Sequence, residues 1–264
     1  MPLQPSNPWL FPVKQVRNSS LRLFCFPYAG ASGQVFAAWA PLLPENVEVW
    51  ALQLPGRASR VRERSLRSIR DLAAATVDAI DPLLDRAFVF FGHSMGSLVA
   101  FQAARHLRAH AKPAPVALIL SGASSPELPP VGEQLHKLPK ESFKARLRDF
   151  EGTPPQILDC EELLEIVLPA LRADFEASET YSPDEEAPLN VPLIVFGGEN
   201  DPDVPLDHLE AWRPYASRDV IVQQFPGGHF YLQGSSMFFT ALNATLRRVL
   251  SQLHSSVGRE GFEG

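Results

Sequence analysis

The sequence predicts an α/β fold in which a mostly parallel sheet is flanked by helices. Short apolar runs of strand length recur along the chain and alternate with longer segments of helical periodicity. The strand-like runs are apolar throughout, which is typical of parallel strands buried on both faces. Parallel strands joined through helices require right-handed crossovers, and functional groups in such folds lie beyond the carboxyl ends of the strands.

The composition is that of an ordinary globular protein. The 264 residues are 45% hydrophobic and 20% charged, with a formal net charge of -6, so nucleic acid is an unfavourable partner. Two cysteines, Cys25 and Cys160, suggest neither a disulfide framework nor a cysteine metal site. Residues 1–13 lack the apolar centre of a signal peptide, and no apolar segment has membrane-spanning length. We therefore expect a cytoplasmic monomer without membrane contact.

The first half of the chain is predicted to hold an N-terminal arm and the first part of the core. Residues 1–20 contain several prolines and are predicted to form a loosely attached arm. The first part of the core is predicted to be residues 21–124. Its predicted strands are 21–26, 47–52, 87–91 and 116–121. Its predicted helices are 35–43, 98–108 and one that starts near Ser68. Ser68 and Asp71 form a plausible capping box for that helix.

The alternation of strands and helices stops over residues 125–188, where amphipathic helices and proline-rich connections follow one another. We interpret this insertion as a helical lid beside the active-site end of the sheet; an ordinary packing excursion is the alternative. The core resumes over residues 189–253, with predicted strands at 191–196 and 219–225 and predicted helices at 206–215 and near the end. Residues 254–264 are predicted to form a flexible tail.

The most informative stretch is a Gly-x-Ser-x-Gly pentapeptide centred on Ser94. An apolar strand precedes it and a helix rich in Ala and Leu follows it, which is the context of a nucleophile elbow. In such a turn the hydroxyl stands exposed at the carboxyl end of the sheet, whereas side chains at Gly92 and Gly96 would clash with the neighbouring strand or helix. The side chain of His93 leaves the turn in another direction, so we interpret it as a packing residue. A chance match in a Gly- and Ser-rich turn is the alternative.

A serine nucleophile needs a base and a group that orients the base. His229 follows the last predicted strand and Asp201 follows the strand before it, so the chain order is Ser94, Asp201, His229, as expected of α/β-hydrolases. We therefore predict the α/β-hydrolase fold with these three residues as the catalytic triad. Asp203 and Glu127 are the alternatives for the acid.

The oxyanion formed during attack on a carbonyl needs two prepositioned donors. The backbone amide of Met95, at the start of the helix after the elbow, is predicted to be the first. The second should come from the loop after the first strand, where we expect the amide of Tyr28 and hold that of Ala29 in reserve. A tight connection without a catalytic role is the alternative for this loop.

Four segments and one short motif carry a resemblance to a known family. The segments are Cys-Phe-Pro-Tyr-Ala-Gly at 25–30, Leu-Pro-Gly-Arg at 54–57, Phe-Gly-His-Ser-Met-Gly at 91–96 and Pro-Gly-Gly-His-Phe at 226–230. Together they resemble the type II (external, editing) thioesterases of polyketide and nonribosomal peptide synthesis, and medium-chain fatty-acid-releasing thioesterases look similar. Leu-Arg-Ala-Asp at 171–174 is also like that family, whereas Ala-Gly-Ala at 29–31 stands where the family often has Ala-Gly-Gly.

The resemblance implies hydrolysis of acyl groups from the phosphopantetheine arm of an acyl or peptidyl carrier protein, with no metal or organic cofactor. The arginine-rich stretch from Arg57 to Arg70 could contact such a carrier, which is typically acidic; a solvated connection is the alternative. Three other functions stay open from the residues alone: a carboxylesterase or lipase, an acyltransferase with the same triad, and a catalytically inactive binding module.

Overall fold

One mixed sheet organises the part of the chain that the computed structural model describes, which is residues 7–128, 133–150 and 152–260. Its strands are β1 (Leu10–Lys14), β2 (Leu21–Phe26), β3 (Val47–Leu52), β4 (Phe88–His93), β5 (Ala117–Ser121), β6 (Leu193–Gly198) and β7 (Val220–Phe225). Their spatial order is β1-β3-β2-β4-β5-β6-β7. All neighbouring strands are parallel except β1 and β3, which confirms the predicted mostly parallel sheet.

Helices cover both faces of the sheet. The α-helices are α1 (Ile69–Ile80), α2 (Met95–Ala109), α3 (Lys140–Asp149), α4 (Pro155–Leu158), α5 (Glu161–Glu179), α6 (Leu206–Glu210) and α7 (Ser236–Glu260). Helices α1, α2 and α6 contribute to the apolar cluster on one face, and α7 contributes to the cluster on the other. In β4, Phe88 and Phe90 join the first cluster while Val89 and Phe91 join the second. Burial on both faces therefore explains why the strand is apolar throughout.

Two predicted helices take other forms. The segment predicted as a helix at 35–43 is a 3-10 helix at Gly33–Leu42 whose first turn is capped by the Ser32 hydroxyl. The segment predicted at 206–215 divides into the short α6 and a 3-10 turn at Arg213–Tyr215, because Pro214 interrupts the backbone hydrogen bonding. The predicted cap of α1 is present, since the Ser68 hydroxyl accepts the Asp71 amide at 3.4 Å.

The two ends of the chain differ from the prediction. The expected loose arm at residues 1–20 includes strand β1, which pairs antiparallel with β3 and forms an edge of the sheet. Pro12 is tolerated there because an edge strand has backbone positions that need no donor. The expected tail at residues 254–264 is helical through Glu260, since α7 continues without a break. Residues 261–264 lie outside the described ranges.

The segment between β5 and β6 has its own apolar cluster. Helices α3, α4 and α5 pack against one another there, and the buried members of the cluster are Leu135, Phe143, Leu147, Leu158, Leu164, Leu168 and Leu171. Residues 129–132 and 151 of the predicted insertion lie outside the described ranges. In the described residues, no helix combines the length and the apolar character that a membrane crossing requires.

Two glycines allow α2 to start directly against the sheet. A Cβ atom at Gly92 would lie 2.3 Å from the carbonyl oxygen of Gly96, and one at Gly96 would lie 2.1 Å from the carbonyl oxygen of Phe26. Both neighbours are backbone atoms, so they cannot rotate away. The predicted steric role of these glycines is confirmed, and the sharp turn between β4 and α2 depends on it.

Gly96→Ala should therefore destabilise the fold strongly, because the new methyl group collides with the end of β2. We expect the free energy of unfolding, measured by urea denaturation, to fall by about 3 kcal/mol or more. Gly234→Ala is the control: Gly234 has a φ of +66° and a Cβ atom there would meet no other atom within 4 Å, so only the left-handed strain of about 1 kcal/mol applies. Equal losses in the two variants would contradict the steric interpretation.

Candidate active site

Ser94 lies in a strained turn at the carboxyl edge of the sheet. Its φ of 53° and ψ of -124° are rare for a residue with a side chain, and such strain persists only where the surrounding structure imposes it. The Ser94 amide donates to the carbonyl of Ser121 at 2.8 Å, and the Ser94 carbonyl accepts the Ser97 amide at 2.9 Å. These backbone bonds fix the turn that the pentapeptide predicts.

A cavity of about 220 Å³ opens in front of Ser94. Its apolar wall is formed mainly by side chains of α2, α3 and α5 and of the segment after β7, including Leu98, Leu147, Phe150, Leu171, Phe175 and Phe230. Four of the five predicted site residues, Tyr28, Ser94, Met95 and His229, line this cavity. The fifth, Asp201, lies behind His229. In the described ranges, no group of three or more His, Cys, Asp or Glu side chains is arranged to hold a metal ion.

His229 and Asp201 form a direct side-chain pair. The Nδ1 atom of His229 lies 2.7 Å from Oδ2 of Asp201, whose side chain is fully buried. Because an ionised carboxylate only accepts, this contact assigns the proton to Nδ1 and leaves Nε2 as an acceptor. In the described chain no hydrogen bond joins the Ser94 hydroxyl to the His229 ring, although both side chains line the cavity. Contacts of this kind tighten in many enzymes only when substrate binds.

The two alternative acids lie elsewhere. The Asp203 backbone amide donates to Oδ1 of Asp201 at 3.0 Å, so the backbone of Asp203 helps to hold the Asp201 carboxylate in place. Burial and then the neighbouring Asp201 carboxylate raise the pKa of Asp203, whose side chain faces the cavity. Glu127 is exposed and lies beside Tyr215. The imidazole of His229 therefore contacts the acid that the sequence favours.

The three backbone amides predicted as oxyanion donors have no hydrogen-bond acceptor among the described residues. They belong to Met95, at the start of α2, and to Tyr28 and Ala29, in the loop after β2. The next two amides of the loop are engaged, since Gly30 donates to Oδ2 of Asp174 at 2.7 Å and Ala31 donates to the Tyr28 carbonyl at 3.0 Å. Tyr28 and Ala29 thus remain the two candidates for the second oxyanion donor.

His93 lies in a buried polar chain beside His229. Its Nδ1 atom is 2.9 Å from the Ser121 hydroxyl, which in turn is 2.6 Å from the Tyr231 hydroxyl. The rings of His93 and His229 are 5.1 Å apart, and no hydrogen bond from His93 reaches Asp201. Burial, with a smaller effect of His229, lowers the pKa of His93 well below its ordinary value. His93 is therefore a neutral histidine held by Ser121.

The arginine-rich stretch is largely engaged within the chain. Arg57 and Arg60 are buried, so neither side chain is available to contact a carrier protein. The ion-pair partners in the stretch are Asp174 for Arg57, Glu63 for Arg60, Glu176 for Arg67 and Asp184 for Arg70. Arg62 and Arg64 are exposed. A count of charges along the sequence does not reveal that a partner lies more than 100 residues away.

Asp174 is a buried residue next to the cavity to which the sequence analysis gave no role. Its carboxylate is fully buried and bonds to Arg57 and Gly30, next to the cavity-lining residues Ala29 and Leu171. The only sequence signal was that the Leu-Arg-Ala-Asp motif ends on this residue.

The neutral His93 predicts a pH dependence of stability. Its pKa in the folded chain lies below the ordinary value of 6.5, so below that pH the unfolded chain binds a proton that the folded chain does not. The free energy of unfolding should therefore fall from about pH 6.5 towards pH 5, by up to roughly 1.4 kcal/mol per pH unit from this group.

The free energy of unfolding, measured by urea denaturation at several pH values in this range, should depend less steeply on pH for His93→Gln, which removes the titrating ring. His254→Gln, at an exposed position on α7, is the matched control and should keep the wild-type slope. Identical slopes for the wild type and His93→Gln would contradict the prediction.

Comparison with known proteins places this geometry in a family. The thioesterase domain model matches residues 21–250. The gramicidin S biosynthesis protein GrsT of Aneurinibacillus migulanus is 38% identical, over 87% of this chain and 90% of that protein. Thioesterase PikA5 of Streptomyces venezuelae is also 38% identical, over 86% of this chain and 81% of PikA5.

A solved structure agrees with these relatives. The type II thioesterase BorB from the borrelidin biosynthetic cluster is 30% identical and superimposes with a TM-score of 0.83, covering 94% of this chain and 100% of BorB. The predicted α/β-hydrolase fold is confirmed by this likeness. The chain therefore belongs to the thioesterase family, among relatives that include type II thioesterases of polyketide and nonribosomal peptide pathways, and it is an acyl-thioester hydrolase.

Proposed function

We propose that this enzyme hydrolyses acyl groups from the phosphopantetheine arm of an acyl or peptidyl carrier protein, through an ester intermediate on Ser94. The observation that carries the proposal is the His229–Asp201 contact of 2.7 Å at the cavity that Ser94 lines. The pathways named for the relatives support a carrier-bound substrate, because their intermediates travel as thioesters on such carriers.

In the first step, the Ser94 oxygen attacks the thioester carbonyl while Nε2 of His229 takes the hydroxyl proton. Asp201 holds the imidazole in the tautomer that leaves Nε2 free, and it stabilises the imidazolium that forms. The carbonyl oxygen becomes an oxyanion, which the amides of Met95 and Tyr28 bind, with Ala29 as the reserve for Tyr28. The strained turn adds to this by holding the hydroxyl beside the first amide of α2.

In the second step, the tetrahedral adduct collapses and the carbon–sulfur bond breaks. The phosphopantetheine thiol leaves with the proton from His229, and the acyl group remains on the Ser94 oxygen as an ester. A thiol with a pKa near 8.5 departs easily, so proton donation matters less here than for an alcohol or amine. Water then attacks the ester with His229 as base, and the carboxylic acid and the Ser94 hydroxyl are released.

The apolar wall of the cavity suits the acyl chain. Leu98, Leu147 and Phe175 come from three different helices and present apolar side chains to the cavity. Two of these helices belong to residues 125–188, which we propose to act as a helical lid between the core segments 21–124 and 189–253. The lid would exclude water from the acyl chain while the ester forms.

Ser94→Ala should remove turnover without removing the fold. We expect a loss of roughly 10⁴- to 10⁶-fold in kcat/KM for an acyl thioester, since the covalent route is closed. A fluorophosphonate should label the wild type once and the variant not at all, and far-UV circular dichroism should be the same for both. Retained turnover in the variant would contradict a serine mechanism. A wild type that neither turns over nor is labelled would favour a binding module.

The substrate class can be tested by measuring the turnover of one acyl group attached to two different thiols. We expect a higher kcat/KM for the acyl group on a phosphopantetheinylated carrier protein than on a small thioester mimic. A preference for a matched oxygen ester, or for an added alcohol acceptor over water, would instead favour an esterase or an acyltransferase.

The two neighbouring acids should differ sharply. Asp201→Asn should lower kcat/KM by about 10³- to 10⁴-fold, because the amide no longer fixes the imidazole tautomer. Asp203→Asn is the matched control, with the same chemical change two residues away, and should cost less than about 10-fold. If Asp203→Asn were the more damaging of the two, the acid would be wrongly assigned.

A further inference from the structure

We propose that Asp174, on the inserted helix α5, is a positioning residue that holds the oxyanion loop at residues 28–31 in its working geometry. The proposal rests on the proposed function, because a loop amide matters to catalysis only if an oxyanion forms at Ser94. It concerns a residue that touches no substrate and acts through the backbone of Gly30.

The Asp174 carboxylate is fully engaged by two segments at the edge of the cavity. Its Oδ2 atom accepts the Gly30 amide at 2.7 Å and Nη1 of Arg57 at 2.5 Å, and its Oδ1 atom accepts Nη2 of Arg57 at 2.8 Å. The side chain has no exposed surface, and that of Arg57 is 6% exposed. A buried carboxylate is retained only where charge and hydrogen bonds compensate its desolvation, and here Arg57 supplies the charge.

The contact with Gly30 divides the loop amides into two sets. Gly30 is committed to Asp174, and Ala31 is committed to the carbonyl of Tyr28. The amides of Tyr28 and Ala29 have no acceptor among the described residues, and both residues line the cavity with Ser94. Asp174 therefore fixes the peptide immediately after the two amides that are available to an oxyanion.

Other contacts hold the same loop against α5. Gly30 has a φ of +76°, and a Cβ atom there would lie 2.3 Å from Cδ2 of Leu171, one turn before Asp174 on the helix. The Arg57 guanidinium also reaches the Ala31 carbonyl at 3.4 Å. The loop is thus held between α5 and the segment after β3, and Asp174 on α5 bonds to both the loop and that segment. Because α5 belongs to the proposed lid, the position of the lid and the geometry of the loop are coupled through this residue.

A purely structural role for the ion pair would predict a different result from a positioning role. If the pair only fastens α5 to the core, replacing both partners with apolar side chains of similar volume should leave catalysis unchanged once stability is restored. If Asp174 positions the loop, the replacement restores stability but still lacks the acceptor for Gly30. The binding of the transition state should then weaken while the binding of the ground state does not.

The experiment is the double variant Arg57→Leu/Asp174→Leu, assayed on an acyl thioester. We expect kcat to fall roughly 10- to 100-fold with KM within about 3-fold of wild type, since one oxyanion donor is misplaced rather than removed. The affinity for an acyl trifluoromethyl ketone, which forms an oxyanion adduct with serine, should fall by the same factor as kcat. The midpoint of thermal unfolding should stay near that of the wild type.

The matched control is Arg22→Leu/Glu48→Leu. This pair is also buried, with 2.6 Å between Nε of Arg22 and Oε2 of Glu48, but it lies at the amino ends of β2 and β3, away from the cavity. It should leave kcat and ketone affinity unchanged. Asp174→Asn, which keeps a weaker neutral acceptor, is the second variant and should lose about 3- to 10-fold in kcat alone; it serves if the double variant does not fold.

Unchanged kcat and ketone affinity in a folded Asp174 variant, with Ser94-dependent turnover in the wild type, would overturn the positioning role and leave the proposed function standing. A wild type without Ser94-dependent thioesterase turnover would refute the proposed function instead. A loss of kcat in the Arg22/Glu48 control equal to that in the Arg57/Asp174 variant would also overturn the proposal, because the effect would then follow from any lost buried ion pair.

Discussion

The close approach of three backbone segments at the elbow is the constraint on which the rest of this structure depends. Strand β4 ends where helix α2 begins, and α2 rests on the end of β2, with only hydrogen atoms at Gly92 and Gly96 between them. This contact forces the residue between the glycines into a conformation that costs free energy, and buried packing on both faces of the sheet offsets that cost. The hydroxyl of Ser94 is thereby held at the carboxyl edge, where the loops after β2, β6 and β7 converge.

Much of this architecture could be predicted because its causes are local in sequence. A buried parallel strand has to be apolar on both faces, so strands such as β4 and β5 are visible as unbroken runs. The elbow is visible because its steric demand selects glycine at two fixed spacings, and the order of Ser94, Asp201 and His229 follows from the order of strands whose ends meet. The same sequence signals also predict the family and the fold. The catalytic roles of these residues remain proposals, which the contact between His229 and Asp201 supports.

The parts that could not be predicted depend on contacts between distant segments. The pairing of β1 with β3 was hidden because proline is frequent near the N-terminus and an edge strand carries a weak pattern. Arg57 looked like part of a solvated charge run, yet its carboxylate partner lies 117 residues further along the chain. Asp174 could not be given a role because neither its burial nor its bond to Gly30 produces a repeating pattern in the sequence. Ion pairs that cross a fold have no spacing rule, whereas helices and strands do.

The measurement that tests the mechanism most directly is mass spectrometry of the enzyme quenched with acid during turnover of a carrier-bound acyl thioester. We expect a transient species heavier than the free enzyme by the acyl group minus one hydrogen atom, with the adduct mapped by proteolysis to the Ser94 hydroxyl. This acyl-enzyme should accumulate further when His229 is replaced by a residue that slows deacylation more than it slows acylation. Steady turnover with no acyl-enzyme at any quench time, or an acyl group found on another side chain, would contradict the proposed route through Ser94.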